Sequence, residues 1–182
     1  MLLTAALLAQ QPGSSASLRT PNKVTNTRKE EFKNLLKTLP TDGEFYTQEA
    51  IVKAEPFLPV LLALDEKDLP VLDKREMEKL SPEDRDKYDM YPFLAIIRGL
   101  CDGRQNRGYV VSHFKEIRHP FLKLAWAALL FDANSTSPEV VHFLTDALQS
   151  DQQRQLLKDM LGPGFDDFRK RLLAVKTGPP AN

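Results

Sequence analysis

The sequence predicts an all-α fold, a short irregular α-solenoid of stacked helix pairs, and three observations carry that prediction. Apolar residues recur at helical spacing along most of the chain, while no run alternates with period two for more than a few residues. Prolines stand where those helical stretches begin, and Gly or Pro stands where they end. Finally, the tripeptide Pro-Phe-Leu occurs three times, each time leading an apolar stretch of the same design.

Met1 to Ala9 is nearly all Leu and Ala, and Gln10 to Ser17 is small and polar. Residues 1–16 are read as a minimal secretory signal with cleavage before Ser17, although no Lys or Arg precedes the apolar stretch. That reading predicts export, to a periplasm or to the outside; the alternative is a cytoplasmic protein with a disordered, sticky tail. Residues 17–27 read as a flexible lead-in, rich in Thr and Asn.

Helices follow in order. Thr27 is the expected cap of a helix over 28–39, with Phe32, Leu35, Leu36 and Leu39 on one face and Pro40 with Asp42-Gly43 closing it. Thr47 caps a second, carrying Ala50, Ile51 and Ala54, and Pro56 ends that helix and opens a third. Gln105–Arg118 places Val110, Val111, Phe114 and Ile117 along one stripe. The stretch 120–131 is apolar on nearly every side, so it must be covered on every side, with Trp126 at the core. Ser137-Pro138-Glu139 is a strong helix start. Asp151 caps another helix that Gly162-Pro163-Gly164 closes, and a last amphipathic helix runs over 165–176, leaving 177–182 as a tail.

The repeat is read from Pro56-Phe57-Leu58, Pro92-Phe93-Leu94 and Pro120-Phe121-Leu122. One variable residue follows each, then Val60, Leu61 and Leu64 in the first, Ile96, Ile97 and Leu100 in the second, and Leu124, Ala125 and Ala128 in the third. A small residue recurs at Ala63, Gly99 and Ala127. The starts lie 36 and 28 residues apart, and the longer interval contains Asp65–Asp89, in which 16 of 25 residues are charged. That segment reads as an insert in a single helical domain over 28–176. Phe57, Phe93 and Phe121 are expected at equivalent buried positions.

Over residues 47–161 this pattern resembles the HEAT and armadillo-like helical-repeat proteins, in proline at helix starts, short paired helices and recurrent apolar positions. The resemblance implies stacked helix pairs that present an extended face to a protein partner. The chain departs from a regular array in its varying period and its charged insert; an irregular helical bundle is the alternative architecture.

Composition narrows the functional classes. Twenty-five basic residues balance 25 acidic ones, so the molecule as a whole offers no general attraction to nucleic acid, and none is expected as a partner. No apolar run approaches the roughly 20 residues that cross a bilayer. The single cysteine, Cys101, excludes an internal disulfide and a zinc site built from several thiolates.

Candidate chemistry is sparse. Cys101 shares an apolar stripe with Ile97 and Leu94, and His113 follows in the next helix, so a Cys–His pair is the enzymatic alternative; a buried small hydrophobe is the ordinary role for such a cysteine. His113, Glu116 and His119 are spaced by three, but Pro120 makes His119 the start of a helix rather than a metal ligand. His142 stands alone in its helix and is expected to pack or cap. Asp84, Asp86 and Asp89 lack the glycine and the oxygen donor a calcium loop requires. No metal site and no cofactor is assigned. Three arginines form the candidate binding cluster: Arg98 a turn before the hairpin loop, Arg104 and Arg107 in or just after it. Together they would dock a carboxylate or phosphate. Arg118 lies roughly 16 Å further along the helix and belongs to the opposite end. The expected function is a non-enzymatic protein-interaction or scaffold module.

Overall fold

The computed structural model describes residues 24–42, 45–70, 78–82, 90–134 and 137–175. The fold is all-α. Helix α1 (Asn26–Leu36) starts one turn-start earlier than the sequence suggests, because Thr25 rather than Thr27 is its cap: the Thr25 hydroxyl accepts from the Arg28 amide at 3.3 Å. Either threonine offers the same acceptor. Its C-terminus falls short of residue 39, since Pro40 disfavours helical geometry in Leu39; the Thr38 hydroxyl donates to the Leu35 carbonyl there.

Two residue pairs, β1 (Thr41–Asp42) and β2 (Phe45–Tyr46), form a small antiparallel ladder, Thr41 opposite Tyr46 and Asp42 opposite Phe45. The sequence offers the Asp42-Gly43 pair as a helix stop and gives no sign of this ladder. The Tyr46 hydroxyl donates to the Leu36 carbonyl at 3.3 Å, which ties this turn to the end of α1.

Thr47 caps α2 (Gln48–Ala54) as expected, its hydroxyl accepting from the Ala50 amide. Pro56 does not open an α-helix directly: Glu55–Phe57 is a 3₁₀ turn, and α3 (Leu58–Ala63) follows it. In α4 (Tyr91–Asp102) the proline, Pro92, lies in the first turn. Helix α5 (Arg104–Ser112) is shorter than the stripe from 105 to 118, because the chain tightens into a 3₁₀ turn at Phe114–Glu116; Phe114 and Ile117 are nonetheless buried.

Helix α6 (Pro120–Asp132) is the centre of the molecule. It packs against α4, α7 (Pro138–Gln149) and α8 (Asp151–Leu161), and Trp126 is fully buried. An apolar helix of this kind has no solvent-compatible side, so three neighbours around it satisfy what its sequence demands. Asn134 closes the turn after α6 at φ 58°, a left-handed conformation that asparagine tolerates better than most residues. Ser150, not Asp151, caps α8; its hydroxyl accepts from the Gln153 amide, leaving Asp151 in the first turn where its charge suits the helix dipole. The chain then turns through Gly162–Gly164, with Gly162 at φ 52°, into α9 (Phe165–Ala174), which packs on α7 and α8. Arg171 ties α9 to the end of α6, donating to Asp132 at 2.6 Å and to Asp167 at 3.1 Å.

The three Pro-Phe-Leu stretches are alike in burial at three offsets. Val60, Ile96 and Leu124 are buried, as are Leu61, Ile97 and Ala125, and Leu64, Leu100 and Ala128. The phenylalanines depart from expectation. Phe93 is buried, whereas Phe57 and Phe121 are only half-buried. Phe32 occupies the space between the first two units, stacked on Phe57 at 5.6 Å and edge-on to Phe93 at 6.3 Å. Gly99 is where α2 meets α4 closely: a Cβ there would stand 2.1 Å from the Ile51 Cδ1.

The start of the charged segment is held firmly. Glu66–Asp68 forms a turn, in which Asp65 accepts from the Lys67 and Asp68 amides. Asp68 pairs with Lys29 of α1 at 2.5 Å, both side chains largely buried. Leu69 is buried, and its carbonyl accepts a hydrogen bond from His119. The carboxylates at Asp84, Asp86 and Asp89 lie outside the described residues, as do the leader over 1–16 and the tail over 177–182.

Candidate functional site

A cleft lined by described residues lies over α6, between α4 and α8, with a volume of about 170 Å³. Helical spacing builds its first wall: Tyr91, Leu94, Ala95 and Arg98 of α4 fall at i, i+3, i+4 and i+7, one face of that helix. Ala125, Ala128 and Leu129 of α6 form the floor, and Met160 and Leu161 at the end of α8 the opposite wall. Three alanines in this lining are what leave the space open, since any longer side chain at 95, 125 or 128 would fill it. The site is therefore apolar, with one cation, Arg98, and one phenol, Tyr91, in its lining. Tyr91 is 47% exposed, which places it at the mouth.

Of the three predicted arginines, Arg98 alone lines this cleft. Arg107 has a different role: its guanidinium donates to the main-chain carbonyls of Cys101 and Asp102 at 2.6 and 2.9 Å, capping the C-terminal end of α4. Carbonyls left over at a helix end need such donors, and a cation also suits the negative end of the helix dipole. Arg104 is the first residue of α5 and is exposed. The sequence correctly gathers these residues near one hairpin end. It gives no sign that one of them is committed to the backbone.

Cys101 is buried, at 4% exposure, and burial pushes its thiol up to about 11, with Asp102 and Asp132 adding to the rise and Arg107 opposing it. A thiol shifted in that direction is a poor nucleophile at neutral pH. His113 Nδ1 lies 2.9 Å from the Tyr109 carbonyl and 3.0 Å from the Ser112 hydroxyl, and its ring stacks on Tyr109 at 4.2 Å. Burial raises the Tyr109 phenol, helped by the Glu116 carboxylate. Among the described residues no hydrogen bond joins Cys101 to His113.

His119 is fully buried and works as a structural joint. Its Nδ1 accepts from the Leu122 amide at 3.3 Å, making it the cap of α6, and its Nε2 donates to the Leu69 carbonyl at 2.7 Å. Both bonds together assign the acceptor role to Nδ1 and the donor role to Nε2. His142, expected to pack or cap, is instead exposed and lies 3.6 Å from Asp146 one turn on. No group of three or more His, Cys, Asp or Glu residues able to hold a metal ion occurs among the described residues. None of the helices among those residues is long and apolar enough to cross a membrane.

The sequence alone does not mark Tyr91, Ala95, Leu129 and Met160 as site residues. A signal for Leu129 was present in the all-round apolarity of α6, which leaves some apolar surface wherever a neighbour does not reach. That α4 and α8 flank α6 without closing over it is a tertiary fact. No protein-family model, no curated protein and no solved structure matches the chain.

Proposed function

We propose that this chain is a non-enzymatic interaction module of helical-repeat type that binds another protein, and that it does so at the α4–α6–α8 cleft. The observation that carries this reading is the cleft's composition: an apolar lining open at the surface, with an exposed tyrosine at its mouth. Tyrosine gives large contact area for little conformational cost, and a methionine wall adapts to the shape of what it meets. The common burial of three offsets after each Pro-Phe-Leu favours stacked helix pairs over an arbitrary bundle. In such stacks the exposed helix faces serve partner binding.

The test is affinity capture from the native source with the full chain and with Ala95→Phe, which fills the cleft from its half-buried wall. A partner bound by the first and lost by the second, with thermal stability unchanged, supports the reading. A partner retained equally by both removes the cleft from it. The enzymatic alternative at Cys101 and His113 gains nothing from the thiol's burial.

A further inference from the structure

We infer that the N-terminus of α5 binds a phosphate group, held by the main-chain amides of Arg104, Gln105 and Asn106, the Asn106 carboxamide and the Arg104 guanidinium. This site lies at the α4–α5 hairpin and goes beyond the docking reading of the cleft, whose lining includes none of these residues.

The helix supplies the first donors. Helix α5 starts after Gly103 with no side-chain cap, and the Arg107 amide donates to the Gly103 carbonyl. The amides of Arg104, Gln105 and Asn106 come before that bond, at the end where the helix dipole favours an anion. The second observation is independent of the helix. Asn106 is polar yet only 8% exposed, and its carboxamide makes no hydrogen bond among the described residues. A buried amide without a partner is costly, so its presence here points to a ligand. It is aimed at the helix end: Nδ2 stands 2.8 Å from where a Cβ on Gly103 would be. Glycine at 103 therefore leaves open the space beside Nδ2 that a side chain would fill. Charge agrees with this geometry. Arg104 is exposed and pairs with no carboxylate among the described residues. Arg107 adds a second cation, fixed beside the hairpin by its bonds to the Cys101 and Asp102 carbonyls. Two guanidiniums against the single carboxylate of Asp102 leave residues 101–108 net positive. Donors from main chain, carboxamide and guanidinium suit a phosphate group, whose three terminal oxygens accept from several directions, better than a planar carboxylate.

The experiment titrates the ¹⁵N-labelled full chain with sodium phosphate, using sodium chloride and sodium acetate at matched ionic strength as controls. The expected result is saturable shifts in the backbone amides of Arg104, Gln105 and Asn106 and in the Asn106 carboxamide, with phosphate alone. Arg104→Gln should weaken binding about two- to fivefold, the ratio an exposed ion pair sustains. Asn106→Asp sets a carboxylate where the anion would sit, and Gly103→Ala fills the space beside Nδ2; each should abolish saturation while amides outside the hairpin keep their shifts. Glycerol 3-phosphate distinguishes the sources. Saturation by both compounds supports a site for the phosphate group of a larger molecule, and saturation by inorganic phosphate alone supports a site for the free ion. No saturable shift at these amides, equal shifts with chloride or acetate, or wild-type saturation in both Asn106→Asp and Gly103→Ala overturns the inference. Partner capture at the cleft, read through Ala95→Phe, stands or falls separately.

Discussion

Replacing His119 by alanine should destabilise the fold by about 3 kcal/mol, out of proportion to the size of one imidazole. Three effects combine. Loss of the cap on α6, where Nδ1 accepts from the Leu122 amide, costs about 1 kcal/mol. The Leu69 carbonyl, now accepting from Nε2 at 2.7 Å, would lose its donor in a buried setting, at about 1–3 kcal/mol. The fully buried ring also leaves a void, which adds further. For a domain of this size such a loss lowers the melting temperature by roughly 6–12 °C, readable by circular dichroism, with urea titration giving the free energy. His119→Asn separates the terms. Asparagine caps α6 as well as histidine but does not reach Leu69, so it should recover about 1 kcal/mol and no more. Hydrogen exchange adds a local readout. The Asp68 and Leu69 amides, which donate to the Asp65 carbonyl, should exchange faster in both variants. A loss under about 1 kcal/mol in His119→Ala, or full recovery in His119→Asn, would refute the joint between the 65–70 turn and α6.

Three other expectations are open to direct measurement. Gly99→Ala should lower stability by about 1 kcal/mol or more, because the added Cβ meets Ile51 at 2.1 Å, whereas in an Ile51→Ala background the same change should raise it through helix propensity; a sign that does not reverse would dispose of the close-approach account. Native Cys101 should resist iodoacetamide at pH 8 and react once the protein is unfolded in urea. Its raised thiol also sets a direction with pH: stability is intact below the ordinary value of 9.0 and falls as pH rises towards about 11, because the unfolded chain ionises first. A Cys101→Ser variant should lose less over that range. Among the three phenylalanines, Phe93→Ala should cost about 3–4 kcal/mol, and the half-buried Phe57 and Phe121 about 1–2 kcal/mol each, in urea titrations; equal losses at all three would contradict their unequal burial.

The sequence by itself determined the helical class, because periodicity and proline placement are local properties. It located α2, α6, α7 and α9 closely, the cap at Thr47 and the central position of Trp126. Where it erred, two neighbouring residues offered the same hydroxyl or carboxylate: Thr25 for Thr27, Ser150 for Asp151. Local pattern cannot choose between equivalent caps, and the choice falls to how the helix packs. It also ran α5 on to Arg118, because the apolar stripe continues through Phe114 and Ile117 although the backbone has already tightened. The site was less legible. Only tertiary structure decided that Arg107 caps α4 while Arg98 borders a cleft, since both are arginines near one hairpin and their partners lie on the folded backbone. The cleft itself arises from α4 and α8 resting on α6 without meeting above its alanines, a spacing set by side-chain volume between helices that no single stretch of sequence encodes. The bond from His119 to Leu69, 50 residues away in the chain, belongs to the same class of fact.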